Sequence, residues 1–183
     1  MYVCTPLKFI RMSDFTVKLG DLSTREICCS FVVKDKFFEA FPFSDIKHAD
    51  IAVVAQLNKN GDNILLKLSL GGCINKLACD ICTEELSIKI SVATNIIIKR
   101  TDKNIFSTDE IIYVKPNENK LDLKQLVFEL IVLNTPKKRK HDLDKKGNSK
   151  CNEEMIKLVK KYTTVRKKAS DPRWDVLKNL NIK

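Results

Sequence analysis

Two thiols separated by two residues, in Cys79-Asp80-Ile81-Cys82, are the sharpest chemical feature of this 183-residue chain. Thiolates at that spacing in a tight turn can grip one metal ion, but they supply only half of a tetrahedral site. The basic stretch farther on offers His141 and Cys151, and the same hairpin offers Cys73. The expectation carried forward is one structural zinc ion held by Cys79, Cys82, His141 and Cys151, although the halves lie much farther apart than in a compact zinc ribbon. Other fates stay open. An unpaired cysteine is most often a small buried hydrophobe, which suits Cys4, Cys28 and Cys29. A Cys-x-x-Cys pair can also do redox chemistry when it opens a helix in a βαβ setting, but the surroundings here read as antiparallel strands.

A second chemistry is written in charge. Residues 1–133 hold 17 Lys and Arg against 17 Asp and Glu, while residues 134–183 hold 16 against 6, so the whole excess of +10 lies in the last fifty residues. The run Lys137-Lys138-Arg139-Lys140, continued by Lys145, Lys146 and Lys150, can neutralise phosphates without reading bases. A flexible loop carrying these side chains suits RNA binding. Most charge runs are merely solvated faces, and a short basic cluster can also serve as a nuclear-import address. Concentration of the entire excess in one place favours a polyanionic partner.

Catalysis has little support in the residues. There are two histidines and no phosphate loop, nucleophile elbow or His-Glu hydrolase pattern, and His48 reads as structural or exposed, so no enzyme is expected. No stretch approaches the roughly 20 apolar residues of a spanning helix, and no leader-like segment opens the chain. The odd number of cysteines and the adjacent Cys28-Cys29 pair argue against a disulfide framework. A cytoplasmic protein without a membrane partner is the expectation.

The elements that must position these groups can be read from periodicity. Residues 51–57 and 64–70 are apolar strand runs joined at Asn60-Gly61, a hairpin signal that calls for positive φ. In the second run Ile64, Leu66, Leu68 and Leu70 share one face, which predicts burial on that side. Leu86, Ile88, Ile90 and Val92 alternate with polar residues, and 95–99 continues that strand. The Cys-x-x-Cys turn therefore interrupts an antiparallel meander. Shorter strands are expected at 15–19, 27–33 and 111–114. From 122 the period changes to 3.6: Leu123, Leu126, Val127, Leu130 and Ile131 form a helical face, with Asp122 and Gln125 spaced as a capping box and Pro136 closing the helix. A loop follows to Lys150, then a helix capped by Asn152, then a last helix opened by Asp171-Pro172. Trp174, with Leu177 and Leu180, is expected to anchor that last helix against the body. The predicted class is α+β, an antiparallel β-rich body with a Cys-x-x-Cys turn followed by a basic helical C-terminal portion. Residues 1–133 would form the body and 134–183 the basic part, integrated into one fold.

The order of these features resembles the YceD-like family of large ribosomal RNA subunit accumulation proteins. The likeness runs from a strand leading into Cys79-Asp80-Ile81-Cys82-Thr83-Glu84-Glu85, through Asp122-Leu123 and Pro136, to His141-Asp142, Gly147-Asn148, Cys151 and Asp171-Pro172-Arg173-Trp174. It covers about residues 64–180. Ile81 stands where the family often has arginine. The resemblance implies an accessory factor for synthesis, processing or stability of large-subunit ribosomal RNA, with that RNA or a pre-ribosomal particle as partner and no catalytic residues. The competing expectation is a protein-protein adaptor with a solvated basic tail.

Overall fold

The computed structural model of the chain describes residues 10–11, 14–20, 26–103, 105–108, 110–143 and 149–163. Two compact units divide at residue 140, the first spanning Met1–Lys140 and the second His141–Lys183.

In the first unit a six-stranded sheet runs in the order β1-β3-β4-β5-β6-β7. Its strands are β1 (Ile10–Arg11), β3 (Ile27–Val33), β4 (His48–Asn60), β5 (Asn63–Ala78), β6 (Glu85–Arg100) and β7 (Ile111–Val114). Two short strands, β2 (Thr16–Lys18) and β8 (Lys120–Asp122), form a separate antiparallel pair. The centre is the antiparallel meander β3-β4-β5-β6, as the alternation predicts, but both edges depart from it. β1 runs parallel to β3, and β7 parallel to β6. The sheet is therefore mixed. Local periodicity reports which face of a strand is buried and carries no information about which neighbour it pairs with, so parallel edges leave no trace in the pattern.

One face of the meander is the core. Ile51, Val53, Ala55 and Leu57 of β4 lie beside Ile64, Leu66, Leu68 and Leu70 of β5 and Ile96 and Ile98 of β6, all buried. Each large aliphatic side chain so placed contributes roughly 1.5 to 3 kcal/mol of transfer free energy. The β4–β5 hairpin closes with Asn60 paired to Asn63, so the two loop residues are Gly61 and Asp62, one position later than the Asn60-Gly61 signal implies. Gly61 takes φ 62, the positive value that the first loop position needs.

Helix α2 (Lys124–Asn134) packs on β6 and buries Val127 and Ile131, while Leu123 just before it is fully buried. The expected capping box does not form. Asp122 ends β8 and accepts from the Lys124 amide at 2.8 Å, but Gln125 donates forward to Glu129 at 2.7 Å instead of reaching back. Leu123 donates to the Phe15 carbonyl at 2.7 Å, so the helix entry is held by the β2–β8 pair. The four-residue helix α1 (Asp35–Phe38) buries Phe37 and Phe38, and Phe15 stacks on Phe31 with ring centroids 5.1 Å apart.

β5 carries the feature that matters most for the site. Its pairing with β6 shifts register between Ile74 and Leu77, where Lys76 takes φ 54. Up to Ile74 the buried residues of β5 are even-numbered; beyond the shift Leu77 is buried and the exposed positions are Lys76 and Ala78. One extra residue has flipped the strand's facing. Cys79, next on the inward side, is 1% exposed.

In the second unit Leu143 and Ser149 form an isolated antiparallel bridge. Asn152 then caps helix α3 (Glu153–Tyr162), its side chain accepting from the Glu154 amide at 3.0 Å. Acids sit in the first turn and lysines in the last, as the helix dipole favours. On this helix Met155 is half-buried while Val159 and Tyr162 are exposed. The helix expected from Asp171, with Trp174, lies outside the described residues. Among those residues no helix is long and apolar enough to cross a membrane.

Two adjacent glycines test the close packing of β4 on β5. A Cβ on Gly72 would run into the Asp50 carbonyl, whereas a Cβ on Gly71 meets nothing within 4 Å. Gly72→Ala is expected to cost about 1 to 3 kcal/mol in urea unfolding, as backbone-shifting insertions do. Gly71→Ala should unfold at a midpoint equal to or above that of the parent.

Candidate metal centre and basic surface

The link between β5 and β6 is the turn 79–84. The Cys79 amide donates to the Glu84 carbonyl at 3.0 Å, and the Thr83 amide donates back to the Cys79 carbonyl at 2.9 Å. Inside this loop the Ile81 amide points at the Cys79 sulfur, 3.4 Å away. An amide directed at sulfur favours the thiolate form that a metal ligand requires. Thr83 closes the turn at φ 60, a left-handed conformation that costs a β-branched residue free energy and persists only where the surroundings over-determine it. Cys79 and Cys82 are both buried.

Asp80 between them has a part that its sequence position does not announce. Its carboxylate accepts the Arg139 amide at 2.7 Å, and its own amide donates to the Arg139 carbonyl at 2.8 Å. This reciprocal pair fixes the backbone of the basic run beside the Cys-x-x-Cys turn. The expected free loop is thus pinned at Arg139 by two bonds across 59 residues, one from backbone to backbone and one to the Asp80 carboxylate. Lys137, Lys138 and Lys140 remain exposed, and Arg139 is half-buried with its guanidinium 3.8 Å from Asp45. Lys150 is exposed; Lys145 and Lys146 lie outside the described residues.

His141 follows two residues after the pinned Arg139. Its Nδ1 lies 3.6 Å from the Cys151 sulfur, and the chain between them returns through the Lys150 amide, which donates to the Asp142 carbonyl at 3.4 Å. Cys151 is buried. One ligand atom from each of Cys79, Cys82, His141 and Cys151 lies within 4.8 Å of the others, a group that could hold a metal ion. Cys73, the alternative ligand, is not in it. The donor set, three sulfurs and one imidazole nitrogen, fits the soft tetrahedral preference of a structural zinc site. The described cysteines form no disulfide.

Cys28 and Cys29 belong to the core instead. Burial pushes both thiols up from their ordinary value, with the charge of Glu26 adding to the effect at Cys28. They stay protonated at neutral pH and act as small apolar side chains. His48 is half-buried on β4, its Nδ1 2.8 Å from an Asp35 carboxylate oxygen, and that hydrogen bond holds the Asp35 carboxyl below its usual range. Asp35 is the first residue of α1.

Sequence reasoning missed one surface altogether. Phe37, Phe38, Phe41 and Phe43 fall within seven residues, more aromatic area than a single helical turn can bury. Phe41 stacks on Phe128 of α2, with centroids 3.8 Å apart and rings 3° from parallel, and Phe43 is 99% exposed. The density of phenylalanine was the available signal.

A family model described as large ribosomal RNA subunit accumulation protein YceD matches residues 66–181, a span that takes in all four candidate ligands and the basic run. No curated protein and no solved structure matches the chain.

The Asp80 contact makes a direct prediction. Asp80→Ala should raise the hydrogen-exchange rate of the Arg139 amide by about tenfold, the loss of a hydrogen bond to a charged acceptor, roughly 1.5 kcal/mol. Exchange in the β4–β5 hairpin should not change. Equal protection of Arg139 in parent and variant would show that the pair does not hold the run.

Proposed function

This chain belongs to the YceD family of large ribosomal RNA subunit accumulation proteins, and from that membership we propose that it serves large-subunit ribosomal RNA as a non-catalytic factor binding RNA or a pre-ribosomal particle. The observation that supports direct binding is the exposure of Lys137, Lys138 and Lys140 on a backbone held at Arg139. Phosphate neutralisation by several cations supplies affinity that is indifferent to base sequence. No bond-making step is assigned to any residue.

We further propose that Cys79, Cys82, His141 and Cys151 hold one structural zinc ion. The chemistry of the donor set and the closeness of the four ligand atoms support this. Ion binding would be folding free energy for the segment between His141 and Cys151, because such a site does not pre-exist in the unfolded chain.

Two outcomes follow. Protein purified under reducing conditions should contain about one zinc ion per chain, as a four-ligand site requires. Cys79→Ser should lose the metal and Cys28→Ala should keep it, with chelation lowering the thermal midpoint of the parent. A metal-free parent whose unfolding ignores chelator would remove the zinc proposal.

For RNA, engagement of about five cations with phosphates of a single strand gives log affinity a slope near −3.5 against log salt. Replacing Lys137, Lys138, Arg139 and Lys140 together with glutamine should weaken binding broadly across sequences and flatten that slope. In cells the variant should lower large-subunit RNA more than small-subunit RNA at normal protein abundance. Parent protein with weak, salt-insensitive RNA affinity would favour the adaptor reading.

A further inference from the structure

Beside the basic run lies an apolar groove of about 780 Å³, wholly within the first unit. Phe41, Phe43, Ile46, Phe128 and Leu133 line it, and its charged wall residues are Lys137, Arg139 and Asp45. Asp45 is the weak partner of Arg139 at 3.8 Å, and among the described residues Lys137 on the same wall has no ion-pair partner. Phe43 and Leu133 are 99% and 79% exposed, an arrangement that exposes apolar area to water and is costly without an occupant. The groove and the phosphate-neutralising run share residues, so a ligand entering one meets the other.

We infer that this groove receives an unpaired base of an RNA strand, stacked on the Phe43 ring, while Lys137 and Arg139 neutralise the adjoining phosphates. The inference rests on the RNA-binding reading and names how that surface holds its ligand. Apolar walls take the faces of a base, whose edges can remain in water, and an aromatic ring stacks on any of the four bases. Cationic groups at the same wall match the phosphates that must flank a stacked nucleotide. A strongly acidic helix would satisfy the charges, but it would leave the free aromatic face of Phe43 without its best partner. Base stacking beside cations uses both. The expected preference is for single-stranded over double-stranded RNA, since a paired base presents no free face.

The test uses the full chain and a fluorescein-labelled oligouridine of about twelve nucleotides, a length within the range that single-strand grooves cover. Anisotropy is read at several salt concentrations. Phe43→Ala should bind about tenfold more weakly with an unchanged salt slope, the signature of one lost stack. Phe43→Trp should bind at least as well as the parent, and Lys137→Gln should lower the slope by about 0.7. Because Phe43 is almost wholly exposed, thermal unfolding of Phe43→Ala should match the parent, which separates lost stacking from lost fold. Salt-dependent RNA binding that Phe43→Ala leaves intact would overturn this inference alone. Absence of salt-dependent RNA binding by the parent would overturn the RNA-binding reading itself, and the inference with it.

Discussion

A strand of sixteen residues with one buried face tolerates no slip, and the structure hangs on that constraint. Moving β5 by one position would carry Ile64, Leu66, Leu68 and Leu70 from the core into water. At roughly 1.5 to 3 kcal/mol for each buried aliphatic side chain, the slip would cost an amount comparable with the whole stability of an ordinary domain. The register of β4, β5 and β6 is therefore fixed well before the turn at Cys79. The extra residue between Ile74 and Leu77 then matters greatly, because the only freedom left to the strand is to change facing locally. That change brings Cys79 inward. Without it, alternation carried on from Ile74 would put Cys79 on the solvent side.

The same constraint explains which parts of the molecule were legible in advance. Alternation at Ile64, Leu66, Leu68 and Leu70, and again from Leu86, is a direct consequence of half-burial, so these strands could be read residue by residue. The helical face of Leu123, Val127 and Ile131 was readable for the equivalent reason at period 3.6. Where two local rules competed, reading was less accurate. Asp122 and Gln125 have capping-box spacing, but Asp122 is already committed to β8 and the entry of α2 is set by the Phe15 carbonyl. Parallel pairing at β1 and β7 was invisible because partner choice depends on distant segments and not on period.

The candidate site divides along the same line. Cys79 and Cys82 could be recognised from spacing, and His141 and Cys151 from their chemistry, since few residue types bind zinc well. Asp80 could not. Its carboxylate meets the Arg139 amide only because the turn and the segment after α2 arrive at one place, and an aspartate inside a Cys-x-x-Cys motif carries no mark of such a partner. The Phe43 groove was illegible for a related reason: four phenylalanines near one another imply a cluster, but only the fold shows that Phe37 and Phe38 go inward while Phe43 stays out.

Pinning at Arg139 changes what the basic run can do. A wholly flexible cationic tail meets a polyanion at the cost of ordering its own backbone, about 1 to 2 kcal/mol for each residue immobilised. Here two hydrogen bonds have already ordered the backbone at Arg139, while the side chains of Lys137, Lys138 and Lys140 stay in water. Under the proposed RNA reading, less conformational freedom would remain to be lost when those side chains meet phosphates, so the same charges would bind more tightly than they would on a free tail. The position is also fixed relative to the groove, whose wall contains Lys137 and Arg139. In the proposed RNA complex, neutralisation of phosphates and stacking on an apolar ring would then occur together, without a separate ordering step for each. That economy depends on Asp80, and through Asp80 on the turn that the extra residue in β5 has aimed toward the core.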